Sequence, residues 1–148
     1  MALQESKDAL MRQTHTLRLL WWAFLILPVF YAVAGFYAPA TEGDSKVVLG
    51  LALAAMVTFA MSILVRRLLL GQAMLRDRED LAEGRAARSN RLIGVMLVIW
   101  VHAESVGVFG LVARYLGADI KTMFAFIGLA ILGMVIHRPP QGLAGSTG

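Results

Sequence analysis

The 148-residue chain contains no cysteine. That excludes disulfides, thiol nucleophiles, thiolate-held iron–sulfur clusters and zinc–thiolate sites. Charge is scarce as well: 16% of residues are Asp, Glu, Lys or Arg, against about a quarter in an ordinary soluble domain. The three histidines, His15, His102 and His137, fall in separate segments and make no ligand motif. There is no Gly-rich phosphate loop, no nucleophile–base pair and no metal-ligand spacing. Neither an enzyme nor a resident cofactor or metal is expected. The net charge of +4 would suit nucleic acid, but no base-reading module accompanies it, and no nucleic-acid partner is expected.

Apolar sequence is what the chain has in excess. Hydrophobic residues make up 58% of it, and the mean hydropathy is +0.67. The excess sits in four blocks, residues 19–38, 47–70, 92–117 and 120–136. Each is long enough to cross a bilayer as a helix, the last at the short end of the usual range. The expected fold is therefore all-α: one membrane domain over residues 1–148, its four transmembrane helices packed as two hairpins, with the lipid bilayer as its first partner.

Taken in order, residues 1–18 are polar with scattered leucines, and read either as a short interfacial helix or as a frayed tail. Trp21 and Trp22 open the first span and Tyr37 closes it, as interfacial aromatics do. Pro28 inside it removes one backbone donor, which neighbouring spans make tolerable. Ala38-Pro39-Ala40 imitates a signal-peptidase site, but the apolar run is too long and the leader carries Glu5 and Asp8, so no cleaved signal is expected. In the second span Gly50, Ala54, Thr58 and Ser62 recur at i+4 and predict a stripe of small residues for close helix packing. Residues 71–91 form the one long connection. It carries five arginines and four acids and reads as a solvated helical tip turning near Gly84, with Arg78 beside Glu79 and Glu83 at helical spacing. Ala118-Asp119 is a tight turn, and Pro139-Pro140 stops the fourth span. Eleven of the fourteen basic residues, including seven arginines from Arg66 to Arg91, fall on one side. That side should be cytoplasmic, with both termini inside and the protein in the inner membrane.

The third span holds the one ionisable residue placed for chemistry. A helix over 92–117 rises about 39 Å, and Glu104 lies almost at its midpoint. A charge at that depth costs roughly 2.5–3.5 kcal/mol on insertion scales, so the acid is there either as an ion site or as a polar contact between helices. At about 100° per residue, Trp100, Ala103, Glu104, Gly107, Gly110, Leu111, Arg114 and Gly117 share one broad face. Gly107 and Gly110 thin that face beside the acid. His102 points the other way. Arg114 lies about 15 Å further along the axis, too far for a direct salt bridge and placed for the outer headgroups.

The run Ala103-Glu104-Ser105-Val106-Gly107-Val108-Phe109-Gly110-Leu111-Val112 resembles the carboxylate-bearing helix of the proteolipid subunits of rotary ATPases. In that family a mid-membrane Glu is followed by alternating small and apolar residues, an aromatic and a Gly-Leu-Val-like run. The resemblance implies that Glu104 binds and carries a proton, or sodium with Ser105 and Thr58 as further oxygen ligands. It also implies Gly107 and Gly110 as the small residues beside the acid, Phe109 as the aromatic, and a homo-oligomer or a larger membrane complex as the setting. Two other functions stay open. One is a structural or assembly subunit in which Glu104 hydrogen-bonds a neighbouring helix. The other is a small multimeric proton-coupled exporter.

Overall fold

The computed structural model describes residues 2–39, 43–73, 75, 76 and 89–139. Among them the chain is almost entirely helical, with no strand. The elements are α1 (Ala2–Phe36), α2 (Ser45–Val65) continued by a π-helical turn (Arg66–Leu70), α3 (Ser89–Tyr115) and α4 (Ile120–Ile136). The turn expected near Gly84 and the pairing of Arg78 with Glu79 and Glu83 lie outside the described residues, as does the tail from residue 140.

The polar amino-terminal stretch is neither frayed nor a separate helix. It runs without a break into the first apolar segment, making α1 35 residues long. Within α1, α2 with its extension, and α3, the stretches Thr14–Phe36, Ser45–Ala73 and Leu92–Tyr115 are each long and apolar enough to cross a membrane. α4 is equally apolar but has 17 residues, a rise of about 26 Å against a hydrocarbon core of about 30 Å.

The outer surface confirms the solvent. Trp22, Phe30, Val33 and Phe36 on α1, Leu49, Met56 and Val57 on α2, and Leu132 and Val135 on α4 are all at least half exposed. Only 11% of the apolar window is buried in each of α1 and α2, against 44% in α3. An apolar belt of this extent has no place against water, and in a bilayer it is the lipid-facing surface. The chain is a helical transmembrane protein, and α3 is its central element.

α3 packs against α1, α2 and α4 alike, whereas α1 and α2 do not touch one another among the described residues. The expectation of two packed hairpins is thus half right. α3 and α4 form one, but α1 and α2 are held apart by the α3–α4 pair between them. The contacts set the directions. Phe24 stacks at a tilt on Trp100, ring centroids 5.9 Å apart, and Tyr31 lies on Gly107, so α1 and α3 run parallel. α4 returns antiparallel to both, with Trp21 beside Met134 and Gly107 beside Ala130.

Local signals make the α3–α4 turn sharp. Gly117 takes φ 94°, a conformation that favours glycine. Gly117 N–H donates to Arg114 O and Ala118 N–H to Ala113 O, the paired bonds of a Schellman end. Asp119 then caps α4, its carboxylate accepting from Thr122 N–H at 2.6 Å. Those bonds hold the exposed Asp119 carboxyl below its ordinary range.

Arg114 clamps this end. Its Nε donates to Gly35 O at 3.2 Å, Nη1 to Ala118 O at 3.0 Å and Nη2 to Ala38 O at 3.4 Å. One guanidinium thus joins two carbonyls at the end of α1, Gly35 O (which also accepts from Ala38 N–H) and Ala38 O, to Ala118 O in the α3–α4 turn.

At the opposite end α4 stops while still buried. Trp21 Nε1 donates to Met134 O at 2.9 Å, Trp100 Nε1 donates to His137 O at 2.8 Å, and Arg66 donates to Ile136 O. The last carbonyls of α4 therefore receive one side chain from each of the other three helices. Inside, the helices meet on small residues. A Cβ on Gly110 would stand 2.6 Å from Phe126 Cβ and 3.1 Å from Met123 O; one on Gly133 would stand 3.2 Å from both Ala103 Cβ and the Phe59 ring.

Gly110→Ala should be destabilising. Overpacking against the rigid stem of Phe126 costs about 1–3 kcal/mol, more than the roughly 1 kcal/mol that alanine gains as a helix former. Thermal unfolding in one detergent should show a lower melting temperature for Gly110→Ala. Gly128→Ala, where nothing lies within 4 Å, should hold or raise it.

Candidate functional site

Glu104 faces the inside of the bundle. It is 4% exposed and lies at the middle of the Leu92–Tyr115 stretch. It sits on the face of α3 that carries the tightest contacts, since Trp100, Ala103, Gly107 and Gly110 are all buried. The helical wheel located that face correctly. Val106, outside the predicted arc, is fully buried with them.

The group that answers Glu104 comes from α1. Gly107, one turn beyond the acid, has no side chain, and the ring of Tyr31 fills the space. A Cβ there would stand 3.1 Å from Tyr31 Cδ2 and 3.3 Å from Ala130 Cβ. This seating carries the Tyr31 hydroxyl to where it interacts with the Glu104 carboxyl. The contact falls short of a formed hydrogen bond: both carboxyl oxygens are buried and neither has a partner.

The oxygens expected to assist the acid are engaged elsewhere. Ser105 Oγ donates to Val101 O and Thr58 Oγ1 to Ala54 O, both at 2.8 Å. Each is one helical turn back on its own strand of backbone. His102 likewise stays on its own helix, Nδ1–H donating to Val98 O. No group of three or more potential metal ligands occurs among the described residues.

The small-residue stripe of α2 is only partly at work. Ser62 is buried, Ala54 and Thr58 are half-buried, and Gly50 is exposed with open space around it. Four residues advance a helix by about 400°, so a strict i+4 row drifts about 40° per step and about 120° from Gly50 to Ser62. Only its end reaches the bundle.

That end is a second polar centre which the sequence did not suggest. Ser62 Oγ–H donates to Phe59 O at 2.7 Å, so its lone pair accepts from His137 Nε2–H at 3.0 Å. His137 is fully buried and its Nδ1 is left without a partner. Burial, with the Arg66 charge beside it, pushes His137 down to about 4. Tyr31 was equally overlooked, although it carries the one hydroxyl in residues 19–36.

Compared with known protein families, with curated proteins and with solved structures, the chain matches none.

Two outcomes follow from these contacts. In a double-mutant cycle with Tyr31→Phe and Glu104→Gln, unfolding free energies should show a coupling of about 0.6 kcal/mol, and at most about 1.7 kcal/mol, the range of polar contacts between membrane helices. Strict additivity would mean that the two groups do not act on each other. The second concerns pH. His137 titrates lower folded than unfolded, so only the unfolded chain takes up its proton as pH falls below 6.5. Stability should be full above that value and decline toward pH 4, and His137→Asn should lose this component when melting is followed across the window.

Proposed function

We propose that the chain is a proton-binding subunit of an inner membrane, with four spans, both termini in the cytoplasm and Glu104 as the group that takes up and releases the proton. The observation that carries this is the state of the carboxyl: central in the membrane segment, buried, and without a formed hydrogen bond. A residue kept only to join helices would hold its bond, because an unsatisfied polar group in hydrocarbon costs several kcal/mol. A carboxyl facing one phenol is instead arranged to exchange a proton. The Tyr31 hydroxyl is the group placed to turn toward the carboxyl in either protonation state.

The choice of proton over sodium rests on the oxygens. A sodium ion needs several of them around the acid, and the hydroxyls of Ser105 and Thr58 are turned to their own backbones. The resemblance of residues 103–112 to rotary proteolipids agrees with a proton-carrying Glu104 in an oligomer or energy-coupling complex. In this reading Tyr31 is the lid. Tyr31 lies over the acid on its α1 side, so displacement of α1 would open it. α1 suits that part, being largely lipid-facing and in contact only with α3 and α4.

The nearly complete burial of Glu104 also favours a second reading, an assembly subunit in which the acid is a permanent helix contact. Labelling of the membrane-embedded protein with a hydrophobic carbodiimide separates the two, with the modified residue located by peptide mass spectrometry. Labelling of Glu104 that fades as pH rises, and increases in Tyr31→Ala, is expected for the proton site. Glu104→Gln should insert and fold normally and take no label in this helix. An acid that stays unlabelled at every pH, in Tyr31→Ala as well, would leave the assembly reading.

A further inference from the structure

At the arginine-bearing end of the bundle, the π-turn of α2 and the buried end of α4 enclose an open groove of about 370 Å³. Its walls are of two kinds. Ile63, Leu70 and Ile136 are apolar, while Arg66 and Arg67 are cationic, and no acid among the described residues lines it. His137 is also on its wall, fully buried, with Nδ1 lacking a partner.

The two cations are engaged unequally. Arg66 is half-buried and gives one nitrogen to Ile136 O. Arg67 is exposed and forms no hydrogen bond or ion pair with another described residue. On the other flank of the α4 end a second notch is lined by Arg18, Trp21, Trp22, Arg138 and Pro139. Tryptophan with arginine is the residue pairing of the headgroup layer. The groove therefore opens at the depth where phosphates lie and the first acyl carbons begin.

We propose that this groove binds one anionic phospholipid, its phosphate held by Arg66 and Arg67 and the upper part of an acyl chain laid along Ile63, Leu70 and Ile136. Charge chooses the class of lipid. A zwitterionic headgroup brings the same phosphate and chains but adds an ammonium cation, which two guanidiniums repel. An anionic headgroup leaves the attraction whole. Guanidinium forks match phosphate oxygens in pairs. The apolar wall selects lipid over free phosphate, which would leave it uncovered. Successive residues diverge by about 100° around the helix, so Arg66 reaches inward to the end of α4 while Arg67, the next residue, remains outside. Single π-turns of this kind recur at binding sites.

The test is native mass spectrometry of the full chain in mild detergent, supplied with equal amounts of phosphatidylglycerol and phosphatidylcholine of the same acyl chains. The wild type should retain phosphatidylglycerol in preference. Arg67→Gln should cut that preference about fivefold, the equivalent of about 1 kcal/mol per basic residue at the surface. Arg76→Gln, on the same helical extension but outside the groove, should leave it unchanged. Equal retention of the two lipids by the wild type would overturn the proposal. So would an equal loss in Arg67→Gln and Arg76→Gln, which would mean diffuse attraction in place of a site. Displacement of phosphatidylglycerol by millimolar inorganic phosphate would also overturn it, in favour of a plain phosphate site. Arg67 supports no other contact among the described residues, so Arg67→Gln is read in a folded protein.

Discussion

Hydrocarbon offers no hydrogen bonds, and this one constraint decides how α4 must end. A helix of 17 residues ends short of its neighbours, and its last carbonyls are left without helical partners at the edge of an apolar bundle. They are answered by Trp21 from α1, Arg66 from α2 and Trp100 from α3. No one of these helices could do this alone, because the carbonyls of Met134, Ile136 and His137 point in successive directions around the axis. The short helix therefore requires all three neighbours at one level. The same contacts set the level of α1 and α3 at the end of α4, and the pairs Phe24–Trp100 and Tyr31–Gly107 make the two helices run parallel. At the far end Arg114 repeats the solution with one residue, gathering carbonyls from α1 and from the α3–α4 turn.

The register has a chemical consequence near the middle of the membrane. With Phe24 beside Trp100, seven residues further on each helix bring Tyr31 beside Gly107. Gly107 is what admits the phenol, and Glu104 is one turn away. Removal of a side chain at 107 thus serves two ends: it lets three helices approach, and it seats the group that faces the acid. The end of α4 and the proton site are parts of one arrangement, since a shift of α1 along α3 by a single turn would part Tyr31 from Glu104 and Trp21 from Met134 together.

The elements were legible in the sequence because hydropathy is local. Residues 120–136 are bounded on both sides by breakers, and the helix ends where the sequence places it. The face of α3 was legible too, since tryptophan, alanine and glycine at helical spacing mark close approach. Three things were not. The α2 stripe was read as straight, although a row at i+4 winds around its helix and leaves Gly50 outside. Two packed hairpins were expected from the order of the four spans, but consecutive spans need not touch, and α3 with α4 lies between α1 and α2. Tyr31 and Trp100 are ordinary span residues until the register is known; their partners lie 73 and 37 positions away, and no spacing rule reaches that far.

The distribution of arginine closes the argument about how polar groups are carried in this chain. Arg114, Arg66 and Arg67 all lie within or at the edge of apolar helices, and each has a different degree of satisfaction. Arg114 has three carbonyls, Arg66 has one, and Arg67 has no partner among the described residues. A guanidinium keeps its charge in any surroundings, so what the protein does not satisfy the membrane surface must. The gradient from Arg114 to Arg67 follows exposure: half-buried side chains are matched internally, and the exposed one is left for the headgroups. Glu104 stands at the opposite limit. It is buried, it has no formed bond, and a proton can remove its charge, the larger part of the cost of holding it there. The permanently charged groups sit near the ends of their helices. The one ionisable side chain held at the centre is an acid, which a proton can make neutral.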